Sequence, residues 1–161
     1  MMTHEDWERR KRFVGFSRQD EDILLELHLI ARTYADEVME ELYARWLQFE
    51  ELERFFPDPL KLKRVKDQQK EYFVRLTAGD YGPTYLANRL RIGRVHREIG
   101  LAPRWYMGAY SIYMQIVFPR VLKAFEYDRQ KRDLAISALV KIISLDQELA
   151  LSTYFNEPPP T

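Results

Sequence analysis

Few residues in this chain are equipped for chemistry. It has no cysteine, which excludes disulfides, thiolate metal sites and thiol nucleophiles, so any metal must rest on histidine, tyrosine or carboxylates. Three histidines are present: His4, His28 and His96. His96 stands in the run Arg91-Ile92-Gly93-Arg94-Val95-His96-Arg97-Glu98-Ile99. At helical spacing Ile92 lies one turn before it and Ile99 nearly one turn after. The imidazole therefore projects from an apolar stripe, away from Arg91, Arg94 and Arg97. Gly93 removes a side chain beside it and is expected to let a flat partner approach the backbone closely. Taken alone, the pattern fits a satisfied, half-buried histidine as well as a metal ligand. Tyr43 is the second candidate, with Met39 one turn earlier and Trp46 and Leu47 one turn later, so that its ring points inward. Its alternative is a core tyrosine whose hydroxyl finds a carbonyl. His28, among Leu24, Leu25, Leu27 and Ala31, reads as structural or superficial, and His4 as part of a mobile end. The acidic runs Asp20-Glu21-Asp22 and Glu50-Glu51 read as caps and solvated faces, and there is no Ser-His-Asp arrangement, phosphate loop or two-histidine zinc motif.

The elements that must position these residues are helical almost throughout. Only six glycines occur, no Asn-Gly or Asp-Gly turn is present, and no period-two alternation is sustained. A short charged helix is expected over 5–14, laying down Trp7 and Phe13 and ended by Gly15; Ser17 with Asp20 then caps a new start. From there to Phe49 a stripe of Leu24, Leu27, Ala31, Tyr34, Val38 and Leu42 recurs at three or four residues. Its length suggests two helices meeting near residues 34–37. The prolines of Phe55-Phe56-Pro57-Asp58-Pro59 make a loop, and the next helix runs from about Leu60 to Thr77. After the Gly79-Asp80-Tyr81-Gly82-Pro83 turn, a helix over about 84–99 carries His96 and ends on Gly100, with Leu101 as its apolar contact and Pro103 opening the next helix. That helix reaches about Glu126, with a kink expected near Pro119. Asp128 caps the last one, which ends at Phe155.

With 161 residues the chain suits one domain. Its 25 Lys plus Arg cancel its 25 Asp plus Glu, so no basic field would gather nucleic acid or an anionic membrane surface. No spanning helix and no secretory signal are legible, and the expected location is the cytoplasm.

The wider setting of His96 is more specific than its own helix. The run Arg94-Val95-His96-Arg97-Glu98-Ile99-Gly100-Leu101-Ala102-Pro103-Arg104-Trp105-Tyr106-Met107-Gly108-Ala109-Tyr110 resembles the globin-coupled sensors and the related protoglobins, and a looser likeness extends over about 20–155. The resemblance implies an all-α globin fold with an extra short N-terminal helix, its helices packed around haem b. It implies His96 as the proximal iron ligand, the second ring nitrogen donating to a backbone carbonyl. It places Tyr43 over the distal face as a donor to bound ligand, with Val65 and Gln69 of the next helix beside it. Ile92 and Ile99 flank the proximal side. Some of Trp46, Phe49, Phe55, Phe56, Tyr72, Phe73, Trp105 and Tyr106 must wall the haem, Trp105 among them. No histidine lies between Tyr43 and His96, so the distal imidazole familiar from myoglobin has no candidate.

The organisation expected is an N-terminal extension over 1–16, a sensor globin domain over 17–156, and a tail over 157–161 that is either a linker stub or a free end. Three functions are open. The first is a haem-based sensor of dioxygen, also binding carbon monoxide and nitric oxide. It is not itself an enzyme, and it reports through a helical homodimer interface to an output signalling module absent from this chain. The second is protoglobin-like storage of dioxygen or consumption of nitric oxide, and the third a haem-free interaction bundle. The width of the apolar arc on the last helix, including Leu134, Ile136, Leu139, Ile142, Ile143, Leu145, Leu149 and Leu151, suggests pairing with a second copy, with Leu145 and Leu149 as expected dimer contacts.

Overall fold

Capping side chains or prolines set where all the helices but one short turn begin in the computed structural model, which describes residues 2–155. Thr3 starts α1 (His4–Phe13) with a reciprocal capping box to Asp6, and Ser17 with Asp20 does the same for α2 (Arg18–Trp46). A single turn, α3 (Glu50–Glu53), precedes α4 (Pro59–Val74), which Asp58 caps through the Lys61 amide at 2.7 Å. A 3-10 turn, Arg75–Thr77, extends α4. Prolines open both α5 (Pro83–Glu98) and α6 (Pro103–Ala124), and Asp128 accepts from the Lys131 amide at the start of α7 (Arg129–Phe155). Among the described residues there is no strand, and no helix is long and apolar enough to cross a membrane. The expected tail, 157–161, lies outside the described residues.

One boundary and one environment differ from the sequence reading. The stripe from Leu24 to Leu42 belongs to one unbroken helix of 29 residues, because no glycine or proline interrupts its hydrogen bonds. Asp20 is a cap but not a solvated one: it is buried and held by Lys141 of α7 at 3.0 Å. Pro119 stays inside α6.

The core runs through α2, α4, α5, α6 and α7, with α7 at its centre. Leu139, Ile142, Ile143, Leu145 and Leu149 are all inaccessible to solvent. Leu145 and Leu149 therefore pack inside their own chain and cannot meet those of a second copy. The wide apolar arc on α7 is explained by helices on several sides of it. Helix α1 is fastened to the same core, its Trp7 fully buried and donating from Nε1 to the Tyr81 carbonyl at 2.7 Å.

Gly93 of α5 marks the closest approach in this packing. A β-carbon there would meet the Cα of Ala150 at 2.8 Å and Oγ1 of Thr153 at 2.9 Å. The missing side chain thus admits α7, not a flat partner as the sequence suggested. Backbone on one side and a helix residue on the other leave little room to yield. Gly93→Ala should therefore destabilise the protein by about 1–3 kcal/mol, although the same change in an open helix is worth about 1 kcal/mol in the opposite direction. The urea midpoint of the variant against the parent gives the sign.

A candidate haem pocket

Helix α5 presents two faces. Gly93 and Arg89 turn toward the core, while Asn88, Arg91, Ile92, Val95, His96 and Ile99 face a cavity of about 570 Å³. The periodicity follows from 3.6 residues per turn. Arg91 is on the cavity side, contrary to the expectation that it points away, because its position falls one turn before Val95 on the same face.

All seven residues singled out from the sequence border this cavity. Tyr43 enters from α2, Val65 and Gln69 from α4, Ile92, His96 and Ile99 from α5, and Trp105 from α6. Of the aromatics left unassigned, Trp46, Phe55, Phe56, Tyr72, Phe73 and Tyr106 also line it. Phe49 does not; it packs on Trp105 with ring centres 5.6 Å apart. Leu52, Leu101, Ala109 and Tyr110 complete the apolar wall, and they were missed because nothing in their local spacing separates a cavity wall from a filled core. His28 bonds through Nδ1 to Oγ1 of Thr77 at 3.1 Å, the structural role expected, and His4 opens α1 beside Glu8.

Two buried polar atoms here lack a partner: the Tyr43 hydroxyl and Nδ1 of His96. Burial pushes the Tyr43 hydroxyl well above its ordinary range, so it keeps its proton and is available as a donor. Burial also lowers His96 from 6.5 to about 4. At neutral pH the imidazole is uncharged, the state in which a ring nitrogen ligates a metal. Nδ1 makes no bond to a backbone carbonyl, and the imidazole lies against the Tyr106 ring, centre to centre 5.3 Å.

Beneath the aromatic wall sits a buried charge pair. Nε of Arg89 lies 3.2 Å from Oδ2 of Asp146, and neither side chain reaches solvent. Asp146 also accepts from the hydroxyls of Tyr72, Tyr85 and Tyr110, and Tyr106 bonds to Tyr72 at 2.6 Å. Burial and the Asp146 charge hold these phenols far above their usual range, so they remain donors. Burial opposes the charge on Arg89, but Asp146 and the surrounding tyrosines outweigh it and keep the guanidinium protonated.

No group of three or more His, Cys, Asp or Glu able to hold a bare metal ion occurs among the described residues. One neutral imidazole in a large aromatic cavity instead suits a metal whose other ligands arrive with it, in a flat macrocycle. The volume lies within the usual range for cofactor sites.

Comparison with known proteins agrees with this geometry. The Protoglobin family model matches residues 3–159. The chain belongs to the protoglobin family. Among relatives of the protoglobin chain is the "Heme-based aerotactic transducer HemAT" of Halobacterium salinarum. The two are 30% identical over 131 residues, 76% of this chain and 27% of that protein. The chain thus spans about a quarter of that relative's length. The globin domain of a Geobacter sulfurreducens globin-coupled sensor superposes with a TM-score of 0.89 at 24% identity, covering 96% of this chain and 99% of that one. That likeness shows the protoglobin chain to have the globin fold.

The low proton affinity of His96 has a consequence for stability. An unfolded histidine takes up its proton near pH 6.5, whereas the folded one resists until about pH 4. The contribution is whole above pH 6.5 and is lost as pH falls toward 4, by up to about 3 kcal/mol from this group. His96→Leu should remove that part of the acid slope in the haem-free protein. Urea unfolding of parent and variant at half-unit steps between pH 4 and 7 measures it, and parallel curves would refute the burial effect.

Proposed function

We propose that this protoglobin domain binds haem b in the cavity between α4 and α5, with His96 as the iron's protein ligand, and that it senses dioxygen. The single observation that carries this reading is a neutral, half-buried imidazole and an unpaired phenol opening into one aromatic cavity. Haem, when bound, supplies an iron centre that takes up diatomic gases reversibly. The protein's own contributions are three. His96 gives a neutral nitrogen donor. The aromatic and aliphatic walls exclude water. Tyr43 supplies a hydrogen bond to a ligand held in the cavity, which favours dioxygen, with its partial negative charge when ligated, over carbon monoxide by about 1–3 kcal/mol. Val65 and Gln69 complete the side of the pocket formed by α4. Storage of dioxygen or consumption of nitric oxide would use the same site. Sensing is favoured by the relation to a transducer, of which the matched region forms 27%.

In this reading the domain is a binding and signalling unit, not an enzyme. It works in the cytoplasm and passes its ligation state to an output module or partner. Residues 1–16 form its N-terminal extension and 17–156 the sensor globin proper.

Spectra of the reconstituted protein test the reading. His96→Ala should abolish stoichiometric haem binding or alter the ferrous spectrum, and Tyr43→Phe should keep haem while releasing dioxygen about 10- to 100-fold faster. Normal uptake with an unchanged spectrum in the first variant would overturn the assignment of His96. An unchanged off-rate in the second would move the donor role to Gln69.

A homodimer is part of the same proposal, with its contact surface reassigned. Leu122 of α6 and Val140 of α7 are 45% and 44% exposed, with Phe118, Ile136 and Leu151 partly so. These outward positions, not Leu145 and Leu149, are the ones a second copy could cover. Val140→Asp should convert a dimer at tens of micromolar to a monomer by sedimentation. A monomeric parent would remove the dimer.

A further inference from the structure

The cavity has a polar end. On α5 its lining begins with Asn88 and Arg91 and continues with Val95 and Ile99; on the α4 side, Glu71 and Arg75 stand at the end furthest from Lys61. A hydrogen bond from Nη2 of Arg89 to the Tyr72 carbonyl, at 2.9 Å, sets these two stretches side by side. Arg75 and Arg91, three and two residues from that bond, both line the cavity within about one helical turn of it. Both are exposed at their outer edge, and neither has an ion-pair partner among the described residues. Lys61, some fourteen residues before Arg75, lies about 20 Å away along the helix axis. Apart from Lys61, Gln68, Gln69, the Tyr43 hydroxyl and His96, the remainder of the wall is aromatic or aliphatic, with Trp46, Leu52, Phe55, Phe56, Leu101 and Trp105.

A site with two guanidiniums at one end and a single lysine at the other selects a ligand whose anionic groups lie together at one edge. Two guanidiniums offset by the single carboxylate of Glu71 leave this end net positive, and a guanidinium pairs with a carboxylate through two parallel hydrogen bonds. We propose that Arg75 and Arg91 form the carboxylate-recognition site of the cavity. They would pair with the two carboxylate side chains of the haem and fix that edge of the ring at the junction of α4 and α5. The inference rests on the haem reading above and adds which residues choose the ring's orientation. It also assigns a use to Arg91, whose place on the cavity side of α5 is otherwise unexplained.

Removing the negative charge from the ligand while keeping its ring tests the pairing. The protein is loaded with haem or with haem dimethyl ester, and loss of each to excess haem-free myoglobin is timed. The parent should lose the ester about tenfold faster, and in Arg75→Ala/Arg91→Ala the two rates should converge to within about twofold. Lys61→Ala should keep the parental ratio, and in the parent the ratio should shrink as ionic strength rises. Unaltered ester retention in the double variant shows that its pocket is intact; if that variant fails to fold, Arg75→Gln and Arg91→Gln singly should each lower the ratio. A parental ratio kept in the arginine variants, or lost in Lys61→Ala, overturns the proposal. So does a parent that holds both compounds equally through His96. If the parent takes up neither compound, the haem reading itself falls.

Discussion

One buried ion pair ties together the helices around the cavity. Arg89 of α5 and Asp146 of α7 meet out of reach of solvent, and the remaining capacity of Asp146 is filled by Tyr72 of α4, Tyr85 of α5 and Tyr110 of α6. Four helices thus share one carboxylate. The pair is satisfied on the Asp146 side, whereas on Arg89 only Nη2 makes a hydrogen bond and Nε and Nη1 do not; losing one member would leave the other charge stranded at a cost of about 3–5 kcal/mol. The apolar core alone would tend to close a void as large as the one above it, since interiors are packed to the density of organic crystals. A polar network resists such closure because its geometry is specific. Tyr72, Tyr106 and Tyr110 serve both roles, with hydroxyls in the network and rings in the cavity wall.

How much of this was legible in the sequence depended on whether a residue's role is local. Helix starts at Ser17 and Asp128 were readable because capping is settled within three residues, whereas the Asp58 cap lay inside what the prolines marked only as a loop. The end of the fifth helix was readable for the same reason: Gly100 has φ +75° and Leu101 donates to the His96 carbonyl at 3.0 Å. His96 and Tyr43 were found through spacing and a family motif, and both border the cavity. Roles that depend on a distant partner were not legible. Gly93 looked like room for a ligand and is room for α7. Asp146 drew no notice, since a carboxylate in a helix ordinarily faces water. The arc of leucines on α7 showed how much of that helix is buried but not by what, and Leu145 and Leu149 were assigned to a second copy when their neighbours are in the same chain.

Helix α5 shows why a single stripe was an insufficient description. Its Arg89 and Gly93 are four apart on the face against α7, while Ile92 and His96 are four apart on the face toward the cavity. The two pairs are one register step from each other. Sliding the pattern by a single residue would set Asn88 or Leu90 where Arg89 meets Asp146 and Val95 or Arg97 where His96 meets the cavity, so the two functions fix each other's position.

The turn after α5 joins three parts of the protein through one residue. The Leu101 amide holds the His96 carbonyl, the Leu101 carbonyl accepts from the Tyr154 hydroxyl at 2.8 Å, and the Leu101 side chain touches the cavity. Two residues later Pro103 begins α6 and brings no amide hydrogen with which to form a competing bond. In mechanical terms this is a pinned joint with almost no slack. A displacement of the His96 carbonyl would reach the root of α6 and the tip of α7 through the same residue, and such a joint would divide it between two levers where a longer loop would absorb it.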